Sequence, residues 1–274
     1  MILFNLKLLR IAAGFILAIG IWGCNTAPKP TIATSQTEVL VKEPSVAAMV
    51  KPTTIIVDVR PGFEANGMAI PHSRPLSPSD LGLKPNFLQN DFGDIAGILR
   101  RQGIRHETPV VMVGDISRDL PDMGYVGLVL WSLGVEKIDA TDIRHWRQRP
   151  PEGVKSEIGE NLTTNLLTEP RELEIDHQSM DQCTKAKCLC VAAEFHNLPR
   201  RFTANCTAEV VQSKMFWSKD GVFLFSAKEL FEKNGNFTGK TIYIPWQKAN
   251  LFTAWALLRL GYDVKIVRWG NLKY

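Results

Sequence analysis

The chain has few concentrated charges, and this scarcity argues against one class of partner. Its 274 residues include 32 Lys and Arg against 28 Asp and Glu, which gives a formal net charge of +4. No basic cluster is longer than the pairs Arg100-Arg101 and Arg200-Arg201. A protein that binds nucleic acid normally concentrates its basic residues in a patch or stripe, so we expect no nucleic-acid partner.

The apolar run near the N-terminus is too short for a typical membrane-spanning helix. Residues 11–23 (IAAGFILAIGIWG) follow the basic residues Lys7 and Arg10, and the run stops at Cys24. A span needs about 20 apolar residues, whereas the core of a secretory signal needs about 7–15. The small residue before the cysteine and the isoleucine three positions before it resemble the lipobox of bacterial lipoproteins. The resemblance implies that Cys24 is lipidated.

This N-terminal pattern predicts both a location and a tether. An uncleaved anchor is the alternative to lipidation, and both place the remaining chain on the extracytoplasmic, periplasmic side of a bacterial envelope, tethered to the membrane. The next residues are rich in Pro, Thr, Ser, Ala, Lys and Val without a helical or strand period, which is typical of a flexible linker. We predict a signal segment at 1–23, a tether at 24–51, a domain at 52–150, a linker at 151–170 and a second domain at 171–274.

Two segments of the chain share one order of structural elements. Residues 95–134 and 227–261 each contain a helix-like stretch that ends at a glycine (Gly103 or Gly235), a β-branched strand, a six-residue loop and an apolar helix. The glycine spacing indicates an internal duplication of roughly 130 residues. A strand followed by a loop and a helix N-terminus commonly builds an anion-binding or nucleophile-bearing site. Neither loop contains a cysteine, a serine–histidine pair or a glycine-rich run.

The alternation of strands and helices predicts an α/β fold in which parallel sheets are covered by helices on both faces. In the first half we predict strands at 53–59, 109–113 and 135–139, helices at 87–103 and 119–133, and a proline-rich loop at 67–80. In the second half we predict strands at 188–195 (with a closing turn), 241–244 and 264–267, and helices at 226–234 and 251–260.

The residues at the strand ends resemble the motifs of the rhodanese family. Residues 55–64 (IIVDVRPGFE) and 67–73 (GMAIPHS) are similar to a strand end and the following loop of a rhodanese domain. Residues 109–115 (PVVMVGD) are similar to the active-site strand of that domain. Residues 216–235 (FWSKDGVFLFSAKELFEKNG) resemble the C-terminal half of tandem thiosulfate sulfurtransferases. The resemblance implies two rhodanese-like domains, each a mostly parallel sheet with helices on both faces.

The resemblance also implies where a catalytic cysteine would lie, and neither copy has one. Active rhodaneses carry it at the first position of the loop after the central strand. That position corresponds to Gly114 or Asp115 in the first half and to about Ile244 in the second, and none of these is nucleophilic toward sulfane sulfur. The second loop, residues 245–250 (PWQKAN), has also lost the family's glycine and arginine. We therefore predict degenerate sites with no catalytic residue, no cofactor and no metal ion.

Four cysteines lie in the second half, at Cys183, Cys188, Cys190 and Cys206. An even number of cysteines in an exported domain favours disulfide bonds. Cys188 and Cys190 lie two apart on a predicted strand and share a face, so each is expected to pair with one of the other two, in either order. Two alternatives stay open: a free thiol that serves a sulfurtransferase or thiol-redox protein, and a zinc site, although the spacing lacks the usual C-x2-C knuckles.

Three pairs of side chains at the strand ends and loops are the candidates for binding. A structural ion pair or a solvated loop is the alternative for the charged pairs. The sequence as a whole predicts a binding or scaffolding module whose loops and interdomain cleft recognise a protein partner or a small anion without covalent catalysis. The candidate pairs are Asp58 and Arg60, Asp115 and Arg118, and Trp246 and Lys248.

Overall fold

The computed structural model describes residues 49–82, 91–148, 170–176, 178, 180, 183–193, 206–233 and 236–268. The predicted signal segment, Cys24, the tether up to residue 48 and the linker from 151 to 169 lie outside the described residues. Within the described part of the chain, no helix is both long and apolar enough to cross a membrane.

The first half forms a four-stranded parallel sheet. Its strands are β1 (Ile55–Asp58), β2 (Ser73–Pro75), β3 (Val110–Gly114) and β4 (Ile138–Asp142), and its helices are α1 (Gly62–Gly67), α2 (Phe92–Arg101), α3 (Leu120–Ser132) and α4 (Ile143–Gln148). The strand order is β2-β1-β3-β4, with Ile55 opposite Val110. Every residue of β1 and β3 is buried, which explains why these strands are continuous runs of Ile, Val and Met rather than alternating patterns.

The second half repeats this plan with five parallel strands. They are β5 (Glu174–Asp176), β6 (Cys188–Ala192), β7 (Thr207–Val210), β8 (Thr241–Pro245) and β9 (Val264–Arg268), in the order β5-β9-β8-β6-β7. The helices are α5 (Ala227–Lys233) and α6 (Leu251–Arg259), and 3-10 turns cover Ser213–Phe216 and Lys248–Asn250. The predicted α/β class with two parallel sheets is confirmed.

The structure moves one predicted strand and adds three. The strand predicted at 135–139 lies three residues later, at Ile138–Asp142, because Gly134 and Val135 close α3: Gly134 has φ 92°, and the Val135 N–H donates to the Leu130 carbonyl (2.9 Å). This is a Schellman motif, and its two residues belong to the helix end. The added strands β2, β5 and β7 are short edge strands, where the apolar pattern is weakest. β2 even includes Pro75, a residue that sheets tolerate only at edges or bulges.

The two halves pack together through α3 and α6. A Cβ atom at Gly124 of α3 would lie 2.2 Å from the Phe252 nitrogen, and one at Gly127 would lie 2.5 Å from the Trp255 ring. The two helices therefore approach more closely than larger side chains would allow. Buried side chains of both halves belong to one hydrophobic cluster, so the two sheets share a core.

A turn of the second half also covers the edge of the first sheet. Val222 forms an antiparallel bridge with Thr141 of β4, and the Asp142 N–H donates to the Gly221 carbonyl (2.8 Å). From α6, Arg259 donates its Nε–H to the Ile138 carbonyl at 2.6 Å. These contacts fix the second half against the strand that ends beside the first loop.

Candidate functional site

The first loop joins β3 to α3 and begins where a catalytic side chain would be expected. Gly114 is the last residue of β3, and a Cβ atom there would lie 2.8 Å from Val59 Cγ2. This position therefore has no room for a side chain as large as cysteine without a shift of Val59. Of the two predicted positions in the first half, only Asp115 carries a side chain in the loop.

The Asp115 carboxylate is held by the loop itself. Its Oδ1 accepts hydrogen bonds from the Ser117 N–H (2.9 Å) and the Ser117 hydroxyl (2.5 Å), and its Oδ2 lies 3.4 Å from Arg118 Nε. The hydrogen bonds from Ser117, with a smaller contribution from the charge of Arg118, lower the pKa of Asp115. The group is therefore ionised at neutral pH, and it occupies the loop as an internal anion.

A second carboxylate lies behind the first. Asp119 is buried at the start of α3, and its Oδ2 accepts a hydrogen bond from the Asp115 N–H at 2.8 Å. Burial raises the pKa of Asp119, and the bond from the Asp115 N–H and the charge of Arg118 oppose that shift. In a reactive loop, backbone N–H groups would point toward a bound anion. Here such N–H groups donate to carboxylates of the same loop.

Arg118 is exposed but fixed in place. Its Nη1 and Nη2 donate to the two carboxylate oxygens of Glu64 on α1, at 3.0 and 2.8 Å. A bidentate pair holds the plane of the guanidinium group as well as its position. The hydrogen bonds that Arg118 donates to Glu64 raise the pKa of Arg118. The side chain is 55% exposed, so it presents a pre-oriented cation at the rim of the loop.

Asp58 and Arg60 form a closed ion pair at the end of β1. Arg60 Nη2 lies 2.6 Å from Asp58 Oδ2 and also donates to the Met68 carbonyl at 2.9 Å. Both side chains are 1% exposed. The enclosed geometry of this pair favours the structural ion pair, which was the alternative to a substrate clamp.

The same Asp-x-Arg arrangement recurs at the end of β4, where sequence reasoning missed it. Arg144 donates through Nε and Nη2 to the Asp142 Oδ2 at 2.9 and 2.5 Å, whereas Arg60 donates through the same two nitrogens to different oxygens of Asp58. Here the carboxylate is fully buried but the arginine is 58% exposed. The sequence feature that could have identified this pair is a second Asp-x-Arg spacing directly after a buried strand.

The second loop begins at residue 246, one residue later than the predicted range 245–250. Ile244 lies inside β8 and is buried in the shared core, so it is not a loop position. The strand continues to Pro245, and Trp246 is the first residue of the loop. Trp246 is buried, and its ring meets Tyr125 of α3 edge-on, with centroids 6.0 Å apart. The aromatic ring thus packs against the first half where a reactive loop would leave an open pocket.

Two polar side chains complete the second loop. Asn250 is fully buried; its Nδ2 donates to the Pro245 carbonyl (3.1 Å) and its Oδ1 accepts from the Ala193 N–H (2.9 Å). It therefore ties the end of β8 to the end of β6, a role that the sequence did not indicate. Lys248 is exposed, and its Nζ lies 3.5 Å from Asp122 of α3. This ion pair crosses between the halves.

All four cysteines of the second half are paired. Cys183 is bonded to Cys188 and Cys190 to Cys206, with Cα–Cα distances of 5.9 and 5.8 Å. This is one of the two connectivities that the sequence left open. All four side chains are buried in a separate cluster on one face of the second sheet. Among the described residues, no group of His, Cys, Asp and Glu side chains is arranged to hold a metal ion.

A cleft of about 440 Å³ lies between the two halves. Its walls follow the carboxyl ends of β3, β6, β7 and β8, which is where open α/β sheets bind ligands. Among the described residues that line it, the charged ones are Arg118 and Lys214, and none is a carboxylate. The lining residues are Ile116, Ser117, Arg118, Leu120 and Pro121 from the first half and Ala193, Gln212, Ser213, Lys214 and Ala249 from the second.

Comparison with known proteins identifies the fold. No family model and no curated protein matches the chain. SseA from Escherichia coli, a 3-mercaptopyruvate sulfotransferase with the rhodanese fold, matches with a TM-score of 0.55 and 16% identity over 80% of this chain and 92% of SseA. A probable thiosulfate sulfurtransferase matches with a TM-score of 0.50 and 14% identity over 80% and 92% of the two chains.

A further solved structure is longer than this chain. YnjE matches with a TM-score of 0.53 and 14% identity, over 78% of this chain but only 58% of YnjE. Identities this low establish the fold and leave the activity undetermined. The chain therefore has a rhodanese-like fold, with two parallel α/β sheets arranged as in tandem sulfurtransferases.

Proposed function

We propose that this protein is a rhodanese-like binding or scaffolding module of the bacterial cell envelope that does not perform sulfur transfer. The observation that carries the proposal is that side chains of the protein itself fill both loops. Asp115 fills the first loop as an internal anion, and Trp246 packs the start of the second loop against the first half. A sulfur-transfer site needs an accessible thiolate in a ring of unoccupied N–H donors, and neither loop offers one.

The state of the cysteines supports the same proposal. The alternative, a sulfurtransferase or thiol-redox protein with a relocated nucleophile, requires a free thiol in the second half. Cys183, Cys188, Cys190 and Cys206 are all disulfide-bonded and buried. Only the thiolate is a nucleophile, and a buried disulfide supplies none until it is reduced.

The cleft between the halves is the proposed binding surface. Its lining combines apolar side chains, including Leu120 and Pro121, with two cationic side chains, Arg118 and Lys214. An anionic group on an apolar body, either a small anion or an acidic segment of a protein partner, complements this lining. Arg118 is held by Glu64 before any ligand arrives, which lowers the entropy cost of binding.

The location belongs to the proposal as well. The N-terminal signal pattern ending at Cys24 supports a lipid or peptide anchor that holds the protein at the membrane. The paired cysteines fit an oxidising compartment such as the periplasm. An anchored module with such a cleft is suited to hold a partner near the membrane.

The proposal is tested first by mass spectrometry of the full-length protein, alkylated without reduction, with and without prior thiosulfate. We expect unmodified cysteines in the second half, no sulfur adduct and no activity in a thiosulfate:cyanide assay. An alkylated cysteine whose mass rises by one sulfur atom would show that the protein is an enzyme, and peptide mapping would identify the residue.

The cleft is tested by photo-crosslinking in intact cells. A photoreactive amino acid at Ser213, inside the cleft, should form a cross-link to a specific protein. Alternatively, a small organic anion that occupies the cleft should block the cross-links formed at this position. The same group at Lys219, an exposed position outside the lining, is the matched control. Equal products from both positions would argue against the cleft as the binding surface.

A further inference from the structure

We propose that the carboxyl ends of the strands in both sheets carry a cationic docking face for an acidic segment of a protein partner. The inference rests on the proposed function, because it names the kind of partner that the cleft and its surroundings would hold. The face is defined by four basic side chains, three of which are paired with a carboxylate. They are Lys214 and the pairs Arg118–Glu64, Arg144–Asp142 and Lys248–Asp122.

Both arginines of this face are far more exposed than the carboxylates that hold them. Arg118 is 55% exposed, against 19% for Glu64. Arg144 is 58% exposed, against 0% for Asp142. The guanidinium groups therefore form an outer layer of charge, and the carboxylates lie beneath it. A partner that approaches this edge meets positive charge before negative charge, and the attraction between charges is strongest at the shortest distance.

Two lysines extend the outer layer of positive charge. Lys248 is 74% exposed, against 28% for its partner Asp122 on α3. Lys214 is exposed as well, and it lines the cleft from the second half. The cationic layer therefore runs from the first loop across the cleft to both the turn after β7 and the second loop.

The ion pairs at the opposite ends of the strands show no such layering. Glu136, in the turn before β4, is 59% exposed, against 37% for His106 and 33% for Arg171. Two further pairs there are nearly balanced: Arg259–Asp139 (22% and 25%) and Lys228–Glu232 (44% and 48%). Among the ion pairs of the described residues, the outward placement of the cation is thus confined to the edge that carries the loops and the cleft.

The two arginines lie on opposite sides of the first loop. The strand order β2-β1-β3-β4 places β3, which Asp115 follows, between β1 and β4. Arg144 follows β4, whereas Arg118 bonds to Glu64 on α1, the helix after β1. Hydrogen bonds from Ser117 contribute most to the lowered pKa of Asp115, against the effect of burial, and the charges of both arginines add to it. Both guanidinium groups are therefore within electrostatic reach of one loop.

The spread of the cations favours a chain segment over a small anion or a lipid headgroup. Arg144 and Lys248 lie outside the lining of the cleft, so a small anion held there would not contact them. The flat surface of a bilayer does not enter a concave cleft. An acidic segment that crosses the cleft contacts its apolar lining and reaches the cations on both sides, so the charges of the two partners are complementary.

The arginines are also prepared for a second carboxylate. Arg118 is fixed by two hydrogen bonds to Glu64, and Arg144 donates through Nε and Nη2 to Asp142. A guanidinium group carries five N–H donors, so these bonds leave further donors for a partner. Because both side chains are already fixed, they lose less conformational entropy on binding than free side chains would.

The test measures the affinity of the full-length protein, in detergent, for a labelled peptide by fluorescence anisotropy. The peptide contains two copies of Glu-Glu-Leu-Leu, which gives each face of an extended chain both acidic and apolar side chains. The control peptide has Gln in place of Glu. We expect only the acidic peptide to bind, and we expect added salt to weaken its binding because exposed charges are screened.

Double substitutions that remove a cation together with its own carboxylate keep the net charge constant. The two variants are Asp142→Asn/Arg144→Gln and Asp122→Asn/Lys248→Gln. Each should weaken peptide binding about twofold to fivefold, as is typical of exposed ion pairs. Both members of the Lys248 pair are accessible, so that variant remains informative if changes at the buried Asp142 impair folding.

The variant Lys228→Gln/Glu232→Gln is the matched control. It removes an exposed ion pair of the same kind from α5, at the opposite ends of the strands. Its affinity for the acidic peptide should equal that of the wild-type protein. Equal losses in this variant and in the two variants of the cationic face would show that the layered charge has no role in binding.

Three other outcomes would also overturn the inference. They are equal binding of both peptides, unchanged affinity in both variants of the cationic face, and displacement of the peptide by an equal concentration of inorganic phosphate or of phosphatidylglycerol in the micelles. The last outcome would identify a small anion or a lipid headgroup as the ligand. The proposed function is judged separately, by sulfur transfer and by cross-linking at Ser213. A specific protein captured at Ser213 without any binding of the acidic peptide would retain the binding function and refute only the acidic segment.

Discussion

The close contact between α3 and α6 makes Gly124 the position where one added methyl group should do the most damage. A Cβ atom there would lie 2.2 Å from the nitrogen of Phe252, 2.4 Å from the carbonyl carbon of Leu251 and 2.5 Å from the Phe252 Cα. These are backbone atoms of a helix, which cannot rotate away as a flexible side chain can. Gly124→Ala therefore requires the two helices to move apart.

The magnitude follows from two opposing effects. Overpacking of a well-filled core costs about 1–3 kcal/mol, and backbone contacts this short place Gly124→Ala at the upper end. Alanine recovers roughly 1 kcal/mol because it is a better helix former than glycine. We expect a net loss of about 2 kcal/mol in the free energy of unfolding.

Gly97→Ala is the matched control. Gly97 lies within α2, and among the described residues the one atom found near an added Cβ is the terminal Nη1 of Arg101, at 3.6 Å. The same chemical change should therefore stabilise the protein by roughly 0.5–1 kcal/mol. Urea unfolding followed by circular dichroism measures both variants. If Gly124→Ala stabilises as much as Gly97→Ala does, the inferred contact between the two helices is incorrect.

Three further substitutions test individual side chains. Asp119→Asn keeps an acceptor for the Asp115 N–H and removes a charge whose burial raises the pKa of Asp119. The raised pKa gives the wild-type protein a contribution to stability that is complete below the unfolded pKa and is lost as the pH rises through the folded pKa. The variant should therefore have a higher melting temperature than wild type at neutral pH and lose this advantage at about pH 3. An equal gain at both pH values would contradict this. Arg259→Met removes the donor to the Ile138 carbonyl and the cation beside Asp139, whose pKa burial already raises, and should cost about 1–3 kcal/mol in chemical denaturation. Trp246→Ala should cost about 3–5 kcal/mol by the same measurement, as expected for a core aromatic residue, whereas a small effect would indicate that the ring does not belong to the core.

The central elements could be predicted from sequence because their causes are local. The apolar runs of β1 and β3 reflect burial on both faces, and the glycines that end α2, α3 and α6 reflect the backbone conformation of a Schellman motif. Gly103 and Gly261, with φ of 77° and 85°, close α2 and α6 in this way. The resemblance of the strand ends to rhodanese motifs then indicated the fold, which the solved structures share.

The site itself could be predicted only in part, because its side chains are fixed by distant partners. Asn250 bonds to Ala193, 57 positions away, and nothing in the local pattern identifies that partner. The burial of Trp246 depends on Tyr125 in the other half of the chain. Asp58 and Arg60 looked like binding residues because a charged pair follows a strand, and only the packed structure shows that both are enclosed.

The first loop allows a final prediction about whether a nucleophile alone would restore chemistry. Asp115→Cys places a thiol at the family's expected position, where the wild-type side chain is 20% exposed. The Asp115 N–H, however, already donates to the buried Asp119 carboxylate, and a thiolate would lie beside that negative charge. Like charges raise the pKa of a thiol and so lower its thiolate fraction.

We therefore expect Asp115→Cys to gain no persulfide from thiosulfate, as judged by the intact mass of the non-reduced protein. The double variant Asp115→Cys/Asp119→Asn removes the neighbouring charge and is the informative comparison. A sulfur adduct in the double variant alone would show that the carboxylate of Asp119 blocks the chemistry. An adduct in the single variant would refute the argument, because it would mean that the loop stabilises a thiolate beside the Asp119 carboxylate.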